Sequence, residues 1–221
     1  MFMNFVRACT ALLLALPAFS AVLVDFSSFT VGSYGAFPGN ANSGNADPAF
    51  DGQLMTLGID ITGDANTLRL EVINNEPGAV LPIGGNYLAI NSINTDPNNP
   101  TTVTIDFQSR GPSWYAQGNT ISLDVWDTNP TPSPRVVLTA FDDLGNVAEV
   151  INFVPGVGDS GTVTFSTTSL ISRIELLDNG GDGHVIDNLQ FQLENTAAPE
   201  PGSVALVGGG LLLAGLLRRR K

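Results

Sequence analysis

The chain has 221 residues, of which 43% are hydrophobic and only 14% are charged, against about 25% charged in an average soluble domain. This length fits one globular domain with short signal segments, and the low charge excludes a charge-driven disordered polymer. Residues 21–200 hold four arginines, no lysine and all 21 acids, a balance of −17. Such a surface repels phosphate groups, which excludes nucleic acid as a partner.

The first 20 residues have the pattern of a secretory signal peptide. Arg7 supplies a positive charge, residues 11–16 are apolar, and small residues precede the expected cleavage site after Ser20. We therefore expect a signal helix over residues 1–20, export by the Sec translocon and removal of this segment by signal peptidase. The only cysteine, Cys9, leaves with it, so the mature chain is expected to have no disulfides and no thiol chemistry.

Short apolar runs that alternate with polar residues recur between residues 22 and 193, with Gly, Pro, Asn and Asp between them. The predicted strands are Val22–Phe26, Met55–Ile61, Leu68–Ile73, Tyr87–Ile93, Val103–Phe107, Ile121–Trp126, Val136–Phe141, Val147–Phe153, Val163–Phe165, Ile171–Leu177 and Val185–Leu193. No helix is predicted among them. About ten strands in roughly 170 residues indicate an all-β domain over residues 21–194, an antiparallel β-sandwich.

The last part of the chain combines three features in order. Residues 195–203 form a linker that contains Pro199, Glu200 and Pro201, and residues 204–217 are an apolar run interrupted by three consecutive glycines. A basic cluster ends the sequence with Arg218, Arg219, Arg220 and Lys221. As a hydrophobic helix the 14-residue run is about 21 Å long, shorter than the ~30 Å hydrocarbon core of a bilayer. We therefore predict transient membrane insertion, with the basic residues 218–221 as a cytoplasmic stop.

This segment resembles a PEP-CTERM protein-sorting signal, whose pattern is Pro-Glu-Pro, a Gly/Leu-rich membrane stretch and a terminal arginine cluster. The resemblance covers residues 198–221. It implies processing by an exosortase, a membrane cysteine protease or transpeptidase, in bacteria that make exopolysaccharide and biofilm matrix. It also implies a membrane-inserted precursor and a mature form at the cell surface or outside the cell. Tails of this family are attached to unrelated passenger domains, so they say little about what the passenger does.

The closing segment of the passenger resembles the last strand of galactose-binding-like jelly rolls, which often contain Ile-Asp-Asn-Leu-x-Phe. Here the matching residues are 186–191. The resemblance implies a jelly-roll-like sandwich in which the first and last strands are neighbours. Asp25 would then lie near Asp187.

A loop over residues 178–184 concentrates oxygen ligands of the kind that calcium prefers. It matches neither the EF-hand pattern nor the β-roll repeat. One interpretation is a structural calcium site that uses Asp178, Asp182 or Asp187. The other is a plain Asp/Gly hairpin without metal. His184 is predicted to be a loop residue, with a role as ligand or general acid as the alternative.

Trp126 belongs to the strand predicted over residues 121–126, where period two puts it on the same face as Asp124. An aromatic ring beside a carboxylate can stack on a sugar ring and accept hydrogen bonds from its hydroxyls. Trp114 and Tyr115 suggest a second aromatic platform on a loop. The alternative is that the tryptophans pack in the core between the two sheets.

The sequence lacks most of the residue combinations that enzymes use for catalysis. With one histidine, and neither cysteine nor lysine in residues 21–200, nucleophilic triads, Schiff bases and multi-histidine zinc sites are incomplete. The sequence therefore predicts a non-enzymatic, exported surface or matrix protein that binds or scaffolds exopolysaccharide. Two alternatives stay open, a carbohydrate-active enzyme with a carboxylate pair and a purely structural biofilm matrix protein.

Overall fold

The computed structural model describes residues 21–32, 48–64, 67–74, 85–92, 100–127, 136–153, 160–178 and 184–196. The strands are β1 (Val22–Val24), β2 (Asp60–Gly63), β3 (Thr67–Asn74), β4 (Asn86–Ser92), β5 (Thr101–Asp106), β6 (Trp114–Gln117), β7 (Ser122–Asp127), β8 (Val136–Asp142), β9 (Val147–Phe153), β10 (Ser160–Thr164), β11 (Leu170–Asp178), β12 (His184–Phe191) and β13 (Leu193–Asn195). One α-helix, α1, spans Pro48–Leu57, and short 3-10 turns span Phe26–Ser28 and Gly118–Thr120.

The predicted targeting segments lie outside the described residues. These are the signal peptide over residues 1–20, the Pro-Glu-Pro part of the linker, the apolar run over residues 204–217 and the basic end. Within the described ranges, no helix is long and apolar enough to cross a membrane. The passenger domain extends slightly beyond its predicted end, because β13 includes Asn195.

The strands form two antiparallel sheets. Sheet A has the order β10-β7-β12-β4-β3, with β1 also paired to β12. Sheet B has the order β13-β6-β11-β5-β2, and β8 joins β11 on its other side and carries β9 at the edge. All strand pairs are antiparallel and most join strands distant in sequence. The predicted antiparallel β-sandwich is confirmed.

The core lies between the two sheets and takes one face of each. Leu123 of β7 in sheet A and Ile174 of β11 in sheet B are both fully buried there. Phe107 and Phe191 meet in this layer with ring centroids 5.2 Å apart at 58°. Burial of each large apolar side chain stabilises the fold by roughly 1.5–3 kcal/mol, which suits a domain without disulfides.

Strand β1 and strand β12, which contains the predicted closing segment, are neighbours, as predicted. Strand β1 pairs with β12 so that Val24 lies opposite Leu189. Just before this point β12 has a bulge, where Asn188 adopts a positive φ of 49°. The backbone N–H of Phe26 donates to Oδ1 of Asp187 at 3.4 Å, and the charge of Asp25 acts on the same carboxylate. The predicted proximity of Asp25 and Asp187 is confirmed.

The prediction that residues 55–61 form a strand and that no helix is present is wrong. Helix α1 occupies residues 55–57, residues 58 and 59 connect it to the next strand, and residues 60 and 61 begin β2. Phe50 and Leu54, one helical turn apart, are 2% and 0% exposed and pack in the core. Gly58, with φ +91°, follows the helix and turns the chain into β2. The apolar residues after Phe50 are too few to show a helical period in sequence.

Candidate functional site

Trp126 lies on the outer face of sheet A, away from the core between the sheets. It belongs to a separate apolar cluster with Tyr87 and Val185, and Ile73 packs against this cluster. Its side chain is 8% exposed. The ring is thus neither part of the main core nor an open platform, and its contact with a sugar stays a prediction.

Asp124 shares this face with Trp126, as the alternation predicts. Its Oδ1 accepts from the Thr162 hydroxyl at 2.6 Å, and its Oδ2 accepts from the Asn188 amide at 2.9 Å. Thr162 is on β10 and Asn188 on β12, the two strands that flank β7. Both carboxylate oxygens therefore already hold neighbouring strands together.

The prediction that Trp114 and Tyr115 lie on a loop is wrong, because these two residues begin strand β6. They belong to sheet B, so the structure does not bring them to Trp126 in sheet A. The Tyr115 hydroxyl donates to the carbonyl of Pro112 at 2.8 Å. The guanidinium of Arg110 lies 5.5 Å from the Trp114 ring centroid and donates to a carbonyl near the end of α1. These aromatics are tied into the β6 end of the sandwich.

Asp178 and His184 are the first and last residues of the predicted calcium loop. Oδ2 of Asp178 is 3.3 Å from Nδ1 of His184, and the two side chains are 5% and 1% exposed. The prediction that His184 is a loop residue is wrong, because it is the first residue of β12 and is buried against Asp178. Asp182 lies outside the described residues.

Asp187 belongs to a different sheet from Asp178, since β12 is in sheet A and β11 in sheet B. In the part of the chain that the structure describes, no three His, Cys, Asp or Glu side chains are grouped to hold a metal ion. Because Asp182 is not among those residues, the calcium site stays a prediction.

The carboxyl group of Asp187 has a raised pKa. Burial is the main cause, and the charges of Asp25 and Asp124 add to it, against hydrogen bonds from the backbone N–H groups of Asn188 and Phe26. The folded protein therefore binds this proton more tightly than the unfolded chain does. As the pH rises through the pKa of the folded state, the ionised group lowers the free energy of unfolding.

Asp187→Asn is therefore expected to raise the melting temperature at pH 7 by a few degrees. The gain should shrink as the pH falls toward the ordinary pKa of aspartate, near 3.8, where the wild-type group is also neutral. Thermal melts of both proteins at pH 7 and pH 3.5, with a chelator present, measure the difference. Exposed Asp143→Asn serves as control. An equal gain at both pH values, or a loss at pH 7, would contradict the electrostatic cause.

The outer face of sheet B contains a stacked ion pair. The guanidinium of Arg173 lies over the Phe141 ring, with Cζ 3.9 Å from the centroid. Its Nε also donates to Oε1 of Glu175 at 3.0 Å, and these two side chains are 34% and 33% exposed. Phe141 and Glu175 fix the Arg173 side chain, so its remaining N–H donors are held in a defined position.

Three threonine hydroxyls and the Glu175 carboxylate continue this face across four adjacent strands. Thr139, Glu175, Thr104 and Thr62 lie side by side in register on β8, β11, β5 and β2. All four are partly exposed, whereas their sequence neighbours point into the core. At about 4.8 Å per strand the row spans about 14 Å. These residues form a polar strip of partly exposed side chains.

The β2 side of this face is acidic. Asp60 and Asp106 are directly opposite each other on β2 and β5. Burial raises the pKa of Asp60, and the charge of Asp106 raises it further, against a hydrogen bond from the backbone N–H of Ile61. With Glu175, three carboxylates accompany one guanidinium, so the face attracts anions poorly.

The sequence analysis did not single out Arg173, Glu175 or Phe141. One signal was available, because alternation along β11 places Arg173 and Glu175 on the same side of a strand with buried Ile174 between them. Two charged residues in the middle of a strand are unusual in a chain with so few basic groups. The neighbours on β8, β5 and β2 had no local signal, since their registers are set by long-range pairing.

Comparison with known proteins gives one motif and several distant structural likenesses. No curated protein sequence matches the chain. A mutant family 29 carbohydrate-binding module complexed with mannohexaose is 14% identical, with 79% of this chain and 92% of that one covered and a TM-score of 0.42. A xylan-binding domain from carbohydrate-binding family 22 is 12% identical, with 83% and 100% covered and a TM-score of 0.39. Likenesses at this level do not establish a shared function. Residues 197–221 match the PEP-CTERM protein-sorting motif, so this segment is a PEP-CTERM sorting signal and marks the protein for export.

Proposed function

We propose that this exported protein binds neutral polysaccharide outside the cell through the outer face of sheet B. The observation that carries the proposal is the partly exposed pair of Arg173 and Glu175, fixed against the Phe141 ring. An exosortase is the proposed processing partner, and the producer's own exopolysaccharide is the proposed ligand.

The chemistry of this face fits sugar hydroxyls. A hydroxyl both donates and accepts, and Arg173 offers only donors while ionised Glu175 offers only acceptors. Two neighbouring hydroxyls of one sugar can therefore bond to the two side chains together. The Phe141 ring and the partly exposed Leu177 add apolar surface for the C–H groups of a sugar ring.

The charge of the face favours a neutral ligand. Three carboxylates against one guanidinium, on a domain with a balance of −17, repel uronate or sulfate groups. Threonine hydroxyls along the strip add uncharged donors and acceptors. We therefore propose a neutral chain such as a hexosan in preference to an acidic polymer.

The predicted surface around Trp126 and Asp124 is the competing location for the same ligand class. Trp126 is 8% exposed, and both carboxylate oxygens of Asp124 are already hydrogen-bonded. Trp114 and Tyr115 stand apart from it at the β6 end. A sugar would therefore contact less exposed ring surface and fewer free carboxylate oxygens around Trp126 and Asp124 than on the outer face of sheet B.

Arg173→Ala and Phe141→Ala are each expected to weaken binding to neutral polysaccharide at least tenfold. Arg173→Ala removes hydrogen bonds from a charged group, which cost about 1.5–3 kcal/mol each, and about 1.4 kcal/mol is tenfold in affinity. Phe141→Ala removes the ring that fixes the guanidinium and apolar surface for the sugar. Affinity electrophoresis against purified producer exopolysaccharide measures the change, with thermal melts to confirm folding. The matched controls on sheet A are Asp124→Asn and Trp126→Phe, which should bind like wild type.

Each other outcome identifies a competing hypothesis. Loss of binding in the sheet A variants alone would move the site to Trp126. Release of reducing sugar by the wild-type protein would favour the carbohydrate-active enzyme. Absence of binding in the wild-type protein would overturn the proposal and leave a structural matrix role.

A further inference from the structure

Strand β9 lies at the edge of sheet B and is bonded on one side to β8, with Val150 opposite Thr139. Among the described strands, none pairs with its other side. The backbone N–H and C=O groups along such an edge have the geometry to bond another strand. The edge is seven residues long, longer than the mean strand.

The usual protections of an edge strand are weak here. Val147–Phe153 contains neither lysine nor proline, and its bulge is confined to the start of the strand. Its one charged residue, Glu149, accepts from the backbone N–H groups of Ser166 and Thr167, both at 2.8 Å. Although burial raises the pKa of Glu149, these bonds and the Ser166 hydroxyl lower it overall, so the carboxylate stays ionised and held. It therefore does not block pairing along the side of β9 that no described strand occupies.

Apolar side chains are exposed beside this edge. Leu144 is 81% exposed at the tip of the β8–β9 hairpin, and Val147 and Val150 are 57% and 49% exposed along β9. The hairpin is well fixed, because Oδ1 of Asp142 accepts from the backbone N–H groups of Leu144 and Asn146 at 2.9 and 2.7 Å. The patch is therefore presented in one conformation.

We propose that β9 pairs antiparallel with β9 of a second copy of this chain. A two-fold axis at Val150 sets each Val150 against its counterpart and Glu149 against Ile151. The single charge of the strand then never faces itself, the two copies of Val150 cover each other, and Val147 lies opposite Phe153. Elsewhere the acidic domain, with a balance of −17 over residues 21–200, repels its copy, so this edge, whose one carboxylate is held by Ser166 and Thr167, is the favoured place of approach.

The pairing makes one continuous sheet from two copies of sheet B. Their outer faces then lie side by side, which, if the proposed function holds, gives a polysaccharide two linked sites and a gain in avidity. The pairing itself does not depend on any ligand.

Cysteine cross-linking in the producing cells tests the pairing without polysaccharide binding as readout. Cys9 lies in the predicted signal peptide, so a single introduced cysteine reports alone. Directly opposed residues of antiparallel strands have Cα atoms about 4.5–5.5 Å apart, within disulfide reach. Val150→Cys is expected to give mostly disulfide-linked dimer of the exported protein on non-reducing gels.

Met55→Cys, at 51% exposure on α1, is the matched control and should stay monomeric under the same oxidant. Native mass spectrometry of the Val150→Lys protein is the second measurement, because two lysines at the axis repel and the dimer should be lost. Equal cross-linking of Val150→Cys and Met55→Cys, or a Val150→Lys protein that dimerises like wild type, would overturn the proposal.

Discussion

Replacement of Arg218, Arg219, Arg220 and Lys221 by neutral residues is expected to stop maturation of the exported protein. The apolar run of residues 204–217 is too short and too rich in glycine to anchor the chain stably by itself. The basic cluster holds its far end in the cytoplasm, because moving several charges across the bilayer is costly. Without that cluster the precursor slips through the membrane or accumulates unprocessed.

Pro199, Glu200 and Pro201 are the basis of the second expectation for the sorting signal, which concerns where the mature chain ends. The two prolines fix φ and remove two backbone donors, so we expect the motif to be extended at the outer side, where a membrane protease can reach it. We expect the mature surface form to lack the residues from about 202 onward. Intact-mass spectrometry of protein recovered from the producer measures this end.

Arg135→Gln is the control, since it removes a charge that is far from the sorting signal in sequence and should leave processing unchanged. A wild-type surface form that still ends at Lys221 would mean a membrane-tethered protein. Normal processing of the neutral variant would remove the role of the basic cluster.

Local alternation explains the parts of the fold that the sequence could predict. Val147–Phe153 has the predicted bounds of β9, and the strand predicted over residues 136–141 differs from β8 by one residue. Along β7 the predicted faces are also correct, because Leu123 and Val125 are buried in the core and Asp124 is not. A side-chain period of two is a property of each strand alone and needs no partner.

The proposed binding face could not be predicted in this way. Arg173 gains its surroundings from Phe141 on one side and Asp106 on the other, which are 32 and 67 residues away in sequence. Register between distant strands depends on the packing of the whole sandwich. Trp126 shows the same limit, because alternation gives its face but not the apolar cluster that covers its ring.

Helix α1 was missed for a different reason. A ten-residue helix shows fewer than three turns, and only Phe50 and Leu54 mark its buried side. Tertiary contacts, not propensity, stabilise a helix this short. Its stability should therefore depend on those two side chains.

Leu54→Ala is expected to be among the most destabilising single changes in the domain. The side chain is fully buried in the core, and truncation of such a leucine costs about 2–5 kcal/mol through lost burial and a residual cavity. In a domain of this size each kcal/mol lowers the melting temperature by roughly 2–4 °C. Thermal unfolding followed by circular dichroism measures the fall.

Met55→Ala is the matched control, one residue along the same helix and 51% exposed. Both changes introduce the same strong helix former, so they affect helix propensity alike and differ only in burial. Met55→Ala should stay within about 0.5 kcal/mol of wild type. If the two variants melt together, α1 does not pack on the sandwich, and the segment must be stabilised in another way. A large fall in melting temperature for Leu54→Ala alone would show that the packing of this side chain holds α1 against the core between the sheets.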